Sequence, residues 1–299
     1  MTFLILGANG QVGWELQRAC APLAPLVALT RAGQDGLSGD LSQPDAVIQT
    51  IRTLKPSVII NAGAYTAVDK AESDQDTARA INTHAPHFLA EEARRHDALL
   101  VHYSTDYVFD GTGQTPWKET DPTAPINFYG LTKRDGETAI QDSGCHHLIF
   151  RTSWVYGARG NNFAKTMLRL GMEREALTVI NDQTGAPTGA DLLADVTAHC
   201  IRTALKDPKA QGLYHLAAGG ETTWFDYARF VLEIARQKNV TLKIQPHTIK
   251  PVPTAHFPTP AKRPHNSRLD TTTIQKTFEL QLPSWQNGVK RMLNEVLEP

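Results

Sequence analysis

The sequence predicts an α/β fold with a doubly wound parallel sheet and a smaller α/β region towards the C-terminus. Two observations support this prediction. Short, nearly continuous apolar runs, typical of buried parallel strands, alternate with longer segments whose apolar residues recur at helical spacing. The first run also ends in a glycine-rich turn that leads into a helix. We therefore expect residues 1–151, with returning segments of the second half, to form one domain and residues 152–299 most of another.

The composition favours a small-molecule partner. The chain has 30 Lys and Arg residues against 31 Asp and Glu residues, so it lacks the charge excess that attracts nucleic acid or a membrane surface. The three cysteines, Cys20, Cys145 and Cys200, are widely spaced and suit a reducing cytoplasm better than disulfides or a zinc site. No basic segment followed by a long apolar run is found, so we expect a cytoplasmic protein without a membrane span.

The segment from Thr2 to Leu6 reads as the first buried strand, and the turn from Gly7 to Gly13 follows it. Glycines let backbone amides at a helix N-terminus approach a pyrophosphate. The G-x-x-G-x-x-G spacing is a variant of the dinucleotide fingerprint, and its place between strand and helix predicts a Rossmann-type fold. The predicted cofactor-binding residues of this turn are Gly7, Gly10, Gln11, Val12 and Gly13.

The end of the second strand, Leu26 to Leu29, bears on the choice of coenzyme. Thr30 and Arg31 follow it, where a ribose-contacting residue belongs in such folds. An acidic residue there would repel a 2′-phosphate, whereas Thr30 removes the repulsion and Arg31 adds a cation. We therefore expect NADPH to be preferred and NADH to be accepted; the alternative is that Arg31 points into solvent and both are used equally.

Further cofactor contacts are expected around the third strand. Asp40 and Leu41 precede a helix from Pro44 to Leu54, and Asp40 either caps local structure or lies near the adenine. The strand Val58 to Ile60 runs into small residues that would let a ligand lie close to the backbone. The predicted cofactor-binding residues here are Ala62, Gly63, Ala64, Tyr65 and Thr66, with Tyr103 from the next strand.

A polar cluster follows the fourth strand, Leu99 to Tyr103, after a helical tract from Asp76 to His96 in which Pro86 predicts a kink. Ligands of open α/β sheets bind beyond the carboxyl ends of the strands, so Ser104 and Thr105 are placed to reach a substrate. The alternative is an ordinary polar strand-to-loop turn.

The spacing of Tyr129 and Lys133 predicts a proton donor. Both lie on one face of a predicted helix that runs to Ile140. An ammonium about 4 Å from the phenol would favour the phenolate by roughly 4 kcal/mol, or about three pKa units, at an effective dielectric of about 20. Such pairs also occur by chance on helix surfaces, so the neighbouring motifs matter.

The second half of the chain is less regular. After a fifth strand, Leu148 to Arg151, we predict helices over Asn162 to Gly171, over Asp191 to Leu205, after Thr222 or Thr223, and from Trp285 to Val296. The segment from Lys250 to Pro264 contains five prolines and is predicted to be a loop, either a connector or a lid.

Several motifs together give the chain a family resemblance along nearly its full length. They are Gly10-Gln11-Val12-Gly13, Ser104 to Gly111, Tyr129-Gly130-x-Thr132-Lys133, Arg151 to Tyr156, Asn161-Asn162-Phe163, Asp182-Gln183-x-Gly185-x-Pro187-Thr188 and Arg263-Pro264-x-Asn266-Ser267-x-Leu269. The chain resembles the extended short-chain dehydrogenase/reductases and, among them, the family of dTDP-4-dehydrorhamnose reductases.

The resemblance implies NAD(P)H-dependent reduction of a dTDP-linked 4-keto-6-deoxy sugar to dTDP-L-rhamnose, the last step in supplying rhamnose for cell-surface polysaccharide. It implies that Thr105, Tyr129 and Lys133 are catalytic, that Tyr129 and Lys133 also contact the cofactor, with Lys133 at the nicotinamide ribose, and that Asp106 and Trp154 contact the sugar. The chemistry fits these residues, because Tyr129 can protonate the oxygen on which charge develops. Trp154 is alternatively a structural tryptophan of the core.

Two alternative functions and one possible metal site follow from the same resemblance. One is a nucleotide-sugar dehydratase or epimerase, although the dehydratases carry a Thr-Asp-Glu sequence where this chain has Tyr107. Another is a non-catalytic regulatory subunit, since a relative serves methionine adenosyltransferase in that way. Some family members also form homodimers through Mg²⁺, and Glu15, Asp191 and Glu295 are the candidate ligands unless they are simply solvated surface acids.

Overall fold

The computed structural model describes residues 1–297. Within this range we number the strands β1 (Phe3–Leu6), β2 (Leu26–Leu29), β3 (Val58–Asn61), β4 (Leu99–Thr105), β5 (His147–Thr152), β6 (Val155–Tyr156), β7 (Leu177–Ile180), β8 (Thr184–Gly185), β9 (Thr188–Gly189), β10 (Gly212–His215), β11 (Thr222–Thr223) and β12 (Ile249–Val252). The helices are α1 (Gln11–Cys20), α2 (Pro44–Leu54), α3 (Val68–Ala71), α4 (Gln75–Arg79), α5 (Ala85–Arg95), α6 (Phe128–Ser143), α7 (Phe163–Glu173), α8 (Ala190–Ala204), α9 (Trp224–Gln237), α10 (Thr272–Thr277) and α11 (Trp285–Leu297).

A six-stranded parallel sheet, in the order β2-β1-β3-β4-β5-β10, is the centre of the fold. Alternate residues of β1 face opposite ways: Phe3 and Ile5 pack with α1 and α8, whereas Leu4 and Leu6 pack with α2 and α5. This alternation confirms the prediction of a parallel sheet covered by helices on both faces. The five predicted strands are present, and β10 is a sixth strand that the sequence analysis missed.

The second half builds its own apolar core from α7, α9, α11 and β7, centred on the fully buried ring of Tyr227. The predicted helices of this half are all present, and the Thr223 side chain caps α9 by accepting from the Asp226 amide. One prediction was wrong. Part of the proline-rich segment predicted to be a loop forms β12, which pairs with β7 and includes Pro251. Proline is tolerated because this sheet has only two strands, so each strand has an unpaired edge.

The predicted kink in the 76–96 tract is a π-helical turn at Ala80–His84, between α4 and α5. Pro86 closely follows this turn, so the irregular turn lies where a proline removes a helical hydrogen bond. The three cysteines are buried and unpaired. Over residues 1–297, no helix combines the length and apolarity needed to cross a bilayer.

Candidate active site

A cavity of about 470 Å³ opens where β1, β3 and β4 end. It brings together most of the predicted site residues, namely Gly10, Gln11, Val12, Ala62, Ala64, Thr66, Tyr103, Ser104, Thr105, Asp106, Tyr129, Lys133 and Trp154. Seven further lining residues were not predicted from the sequence to belong to the site: Val68, Tyr107, Thr152, Ser153, Val155, Leu193 and Trp224. Residues of the second half therefore complete a cavity that the first half begins.

The glycine-rich turn is shaped by close backbone contacts. Gly7 has a φ of +86°, and a Cβ there would come within 2.7 Å of the Gly63 amide nitrogen. A Cβ on Gly13 would come within 2.1 Å of the Gly7 carbonyl oxygen, so this glycine lets α1 pack onto the turn. Gly7 and Gly13 are needed because the backbone passes too close for a side chain. Gly10, Gln11 and Val12, at the start of α1, line the cavity. The arrangement fits a dinucleotide pyrophosphate.

The residues predicted to choose the coenzyme form a surface cluster after β2. Arg31 Nε donates to Asp40 Oδ2 at 3.1 Å, and the Arg31 side chain is 80% exposed. Asp40 Oδ1 accepts hydrogen bonds from the amide and the hydroxyl of Ser42. Asp40 therefore caps local structure, which was one of the two alternatives that the sequence left open. Although slight burial opposes the shift, the bonds from Ser42 and Arg31 lower the pKa of Asp40. Thr30 Oγ1 accepts from the Ala32 amide at 3.3 Å.

Two further predicted cofactor residues support the wall of the cavity from outside. A Cβ on Gly63 would come within 2.7 Å of Leu41 Cδ1, so Leu41 packs directly behind the β3 turn. The Tyr65 hydroxyl donates to Asp74 at 2.9 Å, and its amide donates to Asn82. Neither Leu41 nor Tyr65 is part of the cavity lining, so their assignment as direct cofactor contacts stays a prediction.

Tyr129 lies in the first turn of α6, which Asn127 caps by accepting from the Gly130 amide at 2.8 Å. Gly130 is required by packing, because a Cβ there would lie 2.1 Å from the Tyr107 carbonyl oxygen. Burial raises the pKa of Tyr129 to about 12, the hydrogen bond with Thr105 lowers it, and the nearby Asp106 raises it. Tyr129 is thus a protonated phenol beside the Thr105 hydroxyl.

Lys133 is 2% exposed, and Nζ donates to the Tyr103 carbonyl at 2.6 Å while lying 3.1 Å from His102 Nε2. Burial lowers the pKa of Lys133 to about 8, and the Glu137 carboxylate opposes that shift. The expected fall in the pKa of Tyr129 is therefore wrong for this structure. The four-residue spacing is present, but desolvation of the phenol dominates its pKa and the lysine bonds to β4.

Three buried polar atoms offer hydrogen bonds to a ligand. Ser104 Oγ, Asp106 Oδ2 and Thr152 Oγ1 have no partner within residues 1–297. Burial raises the pKa of Asp106 to about 7, although bonds from Ser267 and Thr105 oppose the change. Because buried polar groups are normally paired, this set indicates a site that binds a polar molecule.

Trp154 stacks on Trp224, with ring centroids 3.6 Å apart and planes inclined by 14°. Trp154 is half-buried and has a φ of +49°, unusual for a bulky residue and typical of functional sites. Trp224 Nε1 donates to Gln183 Oε1 at 3.0 Å. A second cavity of about 300 Å³ adjoins the first at Tyr107 and Trp224, and Arg263 is among its lining residues. The sequence placed Trp224 only in an apolar helical stripe.

The predicted magnesium ligands do not assemble within one chain. Asp191 pairs with Arg291, Glu15 bonds Arg18, and Glu295 is exposed on α11. Nowhere in the described part of the chain do three His, Cys, Asp or Glu residues form a metal-binding group. The prediction concerned magnesium held between two chains of a dimer, so Glu15, Asp191 and Glu295 as its ligands stay a prediction.

Comparison with known proteins decides the family. A family model described as the RmlD substrate binding domain matches residues 1–298. The chain is 57% identical over 296 residues to a dTDP-4-dehydrorhamnose reductase of Escherichia coli (strain K12), covering 99% of this chain and 98% of that protein. The chain belongs to the dTDP-4-dehydrorhamnose reductase family.

Two further members of the dTDP-4-dehydrorhamnose reductase family extend this result. One, from Burkholderia thailandensis, is 43% identical and covers 99% of both chains. The other, from Bacillus anthracis, has a crystal structure in complex with NADP; it is 35% identical with a TM-score of 0.88, over 98% of this chain and 99% of that one. A UDP-glucose 4-epimerase from Thermus thermophilus shares the fold alone, at 19% identity and a TM-score of 0.76.

Proposed function

We propose that this protein reduces the C4 keto group of dTDP-4-dehydro-6-deoxy-L-mannose to give dTDP-L-rhamnose, with NADPH or NADH as reductant. The family membership supports the reaction class. The single observation that carries the proposal is that one cavity joins a dinucleotide-type glycine turn to the side chains of Thr105 and Tyr129. Reduction of a carbonyl group needs a bound coenzyme to supply hydride and a side chain to supply a proton.

Different residues of the chain would bind the coenzyme and transfer the proton. The amides at the start of α1, at Gly10, Gln11 and Val12, would hold the coenzyme pyrophosphate. A bound reduced nicotinamide supplies the hydride. Tyr129 would donate the proton to the C4 oxygen, and Thr105 would hydrogen-bond that oxygen as its negative charge develops. A phenol with a pKa of about 12 is fully protonated at neutral pH, as a donor must be.

The dTDP-sugar would occupy the remaining space. Asp106 and Ser104 have free buried oxygens for the sugar hydroxyls, and the Trp154 and Trp224 rings offer apolar surface to a pyranose. The second cavity continues from Trp224 to Arg263, whose guanidinium is held by the Asp69 carboxylate at 2.6 and 2.8 Å and would place a cation near a diphosphate at that end. Tyr107 occupies the position where a dehydratase would need a second carboxyl group, which supports simple reduction. We further propose a cytoplasmic enzyme, and a homodimer as its assembly.

The decisive experiment is to incubate the purified protein with the keto sugar nucleotide and NADPH and to identify the product by NMR. We expect dTDP-L-rhamnose and stoichiometric oxidation of NADPH. Tyr129→Phe should bind NADPH normally, but its turnover should fall by about a hundredfold or more, since it loses only the proton donor. Formation of an unsaturated or epimerised sugar, or no product at all, would favour the dehydratase, epimerase or regulatory alternative.

A further inference from the structure

The end of the proline-rich segment, residues 257–264, forms part of the wall of the second cavity, and none of these residues belongs to a helix or a strand. Phe257 and Arg263 are its lining residues. Three of the residues in this stretch are prolines, which have no amide hydrogen to donate, so backbone ladders do not fix its position. Side chains from elsewhere in the chain must hold it.

Asp69 of α3 binds this stretch through a two-bond ion pair. The terminal nitrogens of Arg263 donate to the two Asp69 carboxylate oxygens at 2.6 and 2.8 Å, and the Ala261 amide donates to Asp69 Oδ1 at 3.2 Å. Arg263 Nη1 also donates to the Ala261 carbonyl at 2.8 Å. Because a guanidinium and a carboxylate that share two bonds fix each other's orientation, Asp69 fixes where Ala261 and Arg263 lie.

The same stretch is bound to the start of α6. Asn127 Nδ2 donates to the Lys262 carbonyl at 2.8 Å, while Asn127 Oδ1 accepts from the Gly130 amide at 2.8 Å. Asn127 is buried, with 8% of its surface exposed. One side chain therefore caps the helix that carries Tyr129 and also holds the wall of the second cavity.

A third contact joins α3 to α6. Glu72 follows Asp69 by three positions at the end of α3, so the two carboxylates lie on the same side of this short helix. Glu72 Oε1 accepts at 2.8 Å from the amide of Phe128, the first residue of α6. These contacts close a ring, and we call its four side chains, Asp69, Glu72, Asn127 and Arg263, the clasp.

The clasp lies where the two cavities meet. Val68 of α3 lines the first cavity, Arg263 lines the second, and Tyr107 lines both. The Tyr107 ring contacts the Tyr129 ring edge to face, with centroids 5.7 Å apart. Movement of residues 257–264 relative to α6 would therefore change the distance between the proposed proton donor and the second cavity.

We propose that Asp69 is a positioning residue for the reduction: through the clasp it holds the second cavity at a fixed distance from Tyr129, so that one sugar nucleotide reaches both. The inference rests on the proposed function, which puts the sugar at Tyr129 and extends the nucleotide into the second cavity. Within residues 1–297 neither cavity lining includes Asp69, so it acts through Arg263. Such positioning matters because a shift of about 1 Å can slow a reaction about a hundredfold.

The clasp gives Arg263 a different role from that of a simple cation. If Arg263 only attracted a diphosphate, a lysine would replace it, and loss of the opposing Asp69 charge would strengthen binding. An arginine that closes the clasp needs both its planar fork and its carboxylate partner. The hydrogen bond from Arg263 lowers the pKa of Asp69, so the carboxylate is ionised at neutral pH and the pair is formed.

The first test follows hydrogen–deuterium exchange in the free protein, without coenzyme or substrate. Asp69→Asn keeps the shape of the side chain and removes its charge. We expect residues 259–263 and the first turn of α6 to exchange about tenfold faster than in wild type, because both lose a fixed partner. Unchanged exchange in the first turn of α6 would overturn the inference even if the protein makes dTDP-L-rhamnose, so its failure is separate from failure of the proposed reaction.

The second test compares the kinetics of Asp69→Asn, Arg263→Gln and Arg263→Lys. Each should raise KM for the sugar nucleotide and lower kcat, by about tenfold in kcat/KM, while Kd for NADPH stays within about twofold of wild type. The double variant Asp69→Asn/Arg263→Gln should be no worse than the poorer single variant, because both changes break one pair. Wild-type kinetics in Arg263→Lys, together with an unchanged or lower KM in Asp69→Asn, would make Arg263 a simple cation and overturn the inference.

The control is Arg52→Gln, which breaks another two-bond pair, formed with Glu92 at 2.7 and 2.9 Å between α2 and α5. We expect its melting temperature to fall while KM, kcat and exchange in α6 stay as in wild type. The same loss of kcat/KM in Arg52→Gln as in Asp69→Asn would attribute the effect to stability alone and overturn the inference. Asp69 and Arg263 are both partly exposed, so their variants should fold.

Discussion

At the residue scale, burial of the Asp106 carboxyl group in the cavity creates an electrostatic conflict. It is 2% exposed, one carboxylate oxygen has no partner among residues 1–297, and burial raises its pKa to about 7. The ordinary pKa is 3.8, so the folded state binds the proton more tightly than the unfolded state. The free energy of unfolding must then fall as pH rises from about 4 to about 7, and level off above that.

Asp106→Asn removes this conflict. We expect the variant to be more stable than wild type by roughly 2–4 kcal/mol at pH 8 and equally stable near pH 4, while its affinity for the sugar nucleotide falls. Urea unfolding at both pH values measures the difference. The exposed Asp142→Asn serves as the control and should change stability at neither pH; equal stability of Asp106→Asn and wild type at pH 8 would contradict the argument.

Arg31 should act on coenzyme choice through Asp40. The guanidinium covers the Asp40 carboxylate, which otherwise would be the acidic residue that repels a 2′-phosphate. Wild type should prefer NADPH by about tenfold, a figure reduced from the scale of a charge-assisted bond because the arginine is exposed. Arg31→Ala should abolish or reverse the preference in kcat/KM, and Asp40→Asn should increase it. A wild-type preference for NADH, or a ratio insensitive to Arg31, would refute this role.

Trp154→Ala should separate sugar binding from coenzyme binding. One face of the indole is covered by Trp224, and the residue lies at the cavity. Loss of the ring should weaken binding of the sugar nucleotide by about 1–3 kcal/mol and leave NADPH affinity unchanged, as calorimetry would measure. Trp14→Ala, which removes a partly exposed indole outside the cavity, is the control. Equal losses for both ligands with a lower melting temperature would mark Trp154 as core.

At the scale of elements, α6 is the helix on which the proposed chemistry depends. Its first turn packs against the 3₁₀ turn at Asp106–Val108, and Gly130 is the residue that allows contact with Tyr107. The sequence predicted this helix apart from Gly130. The contact between Gly130 and the Tyr107 carbonyl could not be predicted, because no local sequence pattern shows which distant backbone segment will pack against a glycine.

Gly130→Ala should therefore disturb the active site more than the fold. The new Cβ would lie 2.1 Å from the Tyr107 carbonyl oxygen, so α6 has to shift and carry Tyr129 with it. We expect a loss of about 1–3 kcal/mol in stability and a fall in kcat of about tenfold or more. Gly144→Ala, at the C-cap of α6 with φ of +69° and open space around it, should cost about 1 kcal/mol but leave kcat unchanged. Unchanged kcat in folded Gly130→Ala would contradict this.

At the scale of the whole molecule, the second half has a core of its own and also completes the core on one face of the central sheet. Leu193 and Ile201 of α8 pack with Phe3 of β1, and β10 extends the sheet beside β5. The alternating pattern predicted five strands and the glycine turn, because those signals are local. The short strand β10 and the wall residue Trp224 were missed, since their roles depend on partners far away in the chain.

We expect residues 1–151 alone to lack cooperative folding. Three large buried side chains of α8, Leu193, Val196 and Ile201, would be missing from the core, at about 1.5–3 kcal/mol each. Their sum is comparable to the roughly 5–15 kcal/mol that separates folded and unfolded proteins. Thermal unfolding followed by circular dichroism should give a sharp transition for the full chain and none for the fragment. A sharp transition in the fragment would show that the first half folds independently.

The stacked pair of Trp154 and Trp224 also gives the cavity an optical property. Two indoles with centroids 3.6 Å apart share their electronic excitations, so their circular dichroism is a coupled doublet that depends on the angle between them. Trp224 is anchored by Gln183, whereas Trp154 has a strained backbone at the cavity wall. A sugar that tilts the Trp154 ring would change the doublet, and the protein would report occupancy of its own site without any added label.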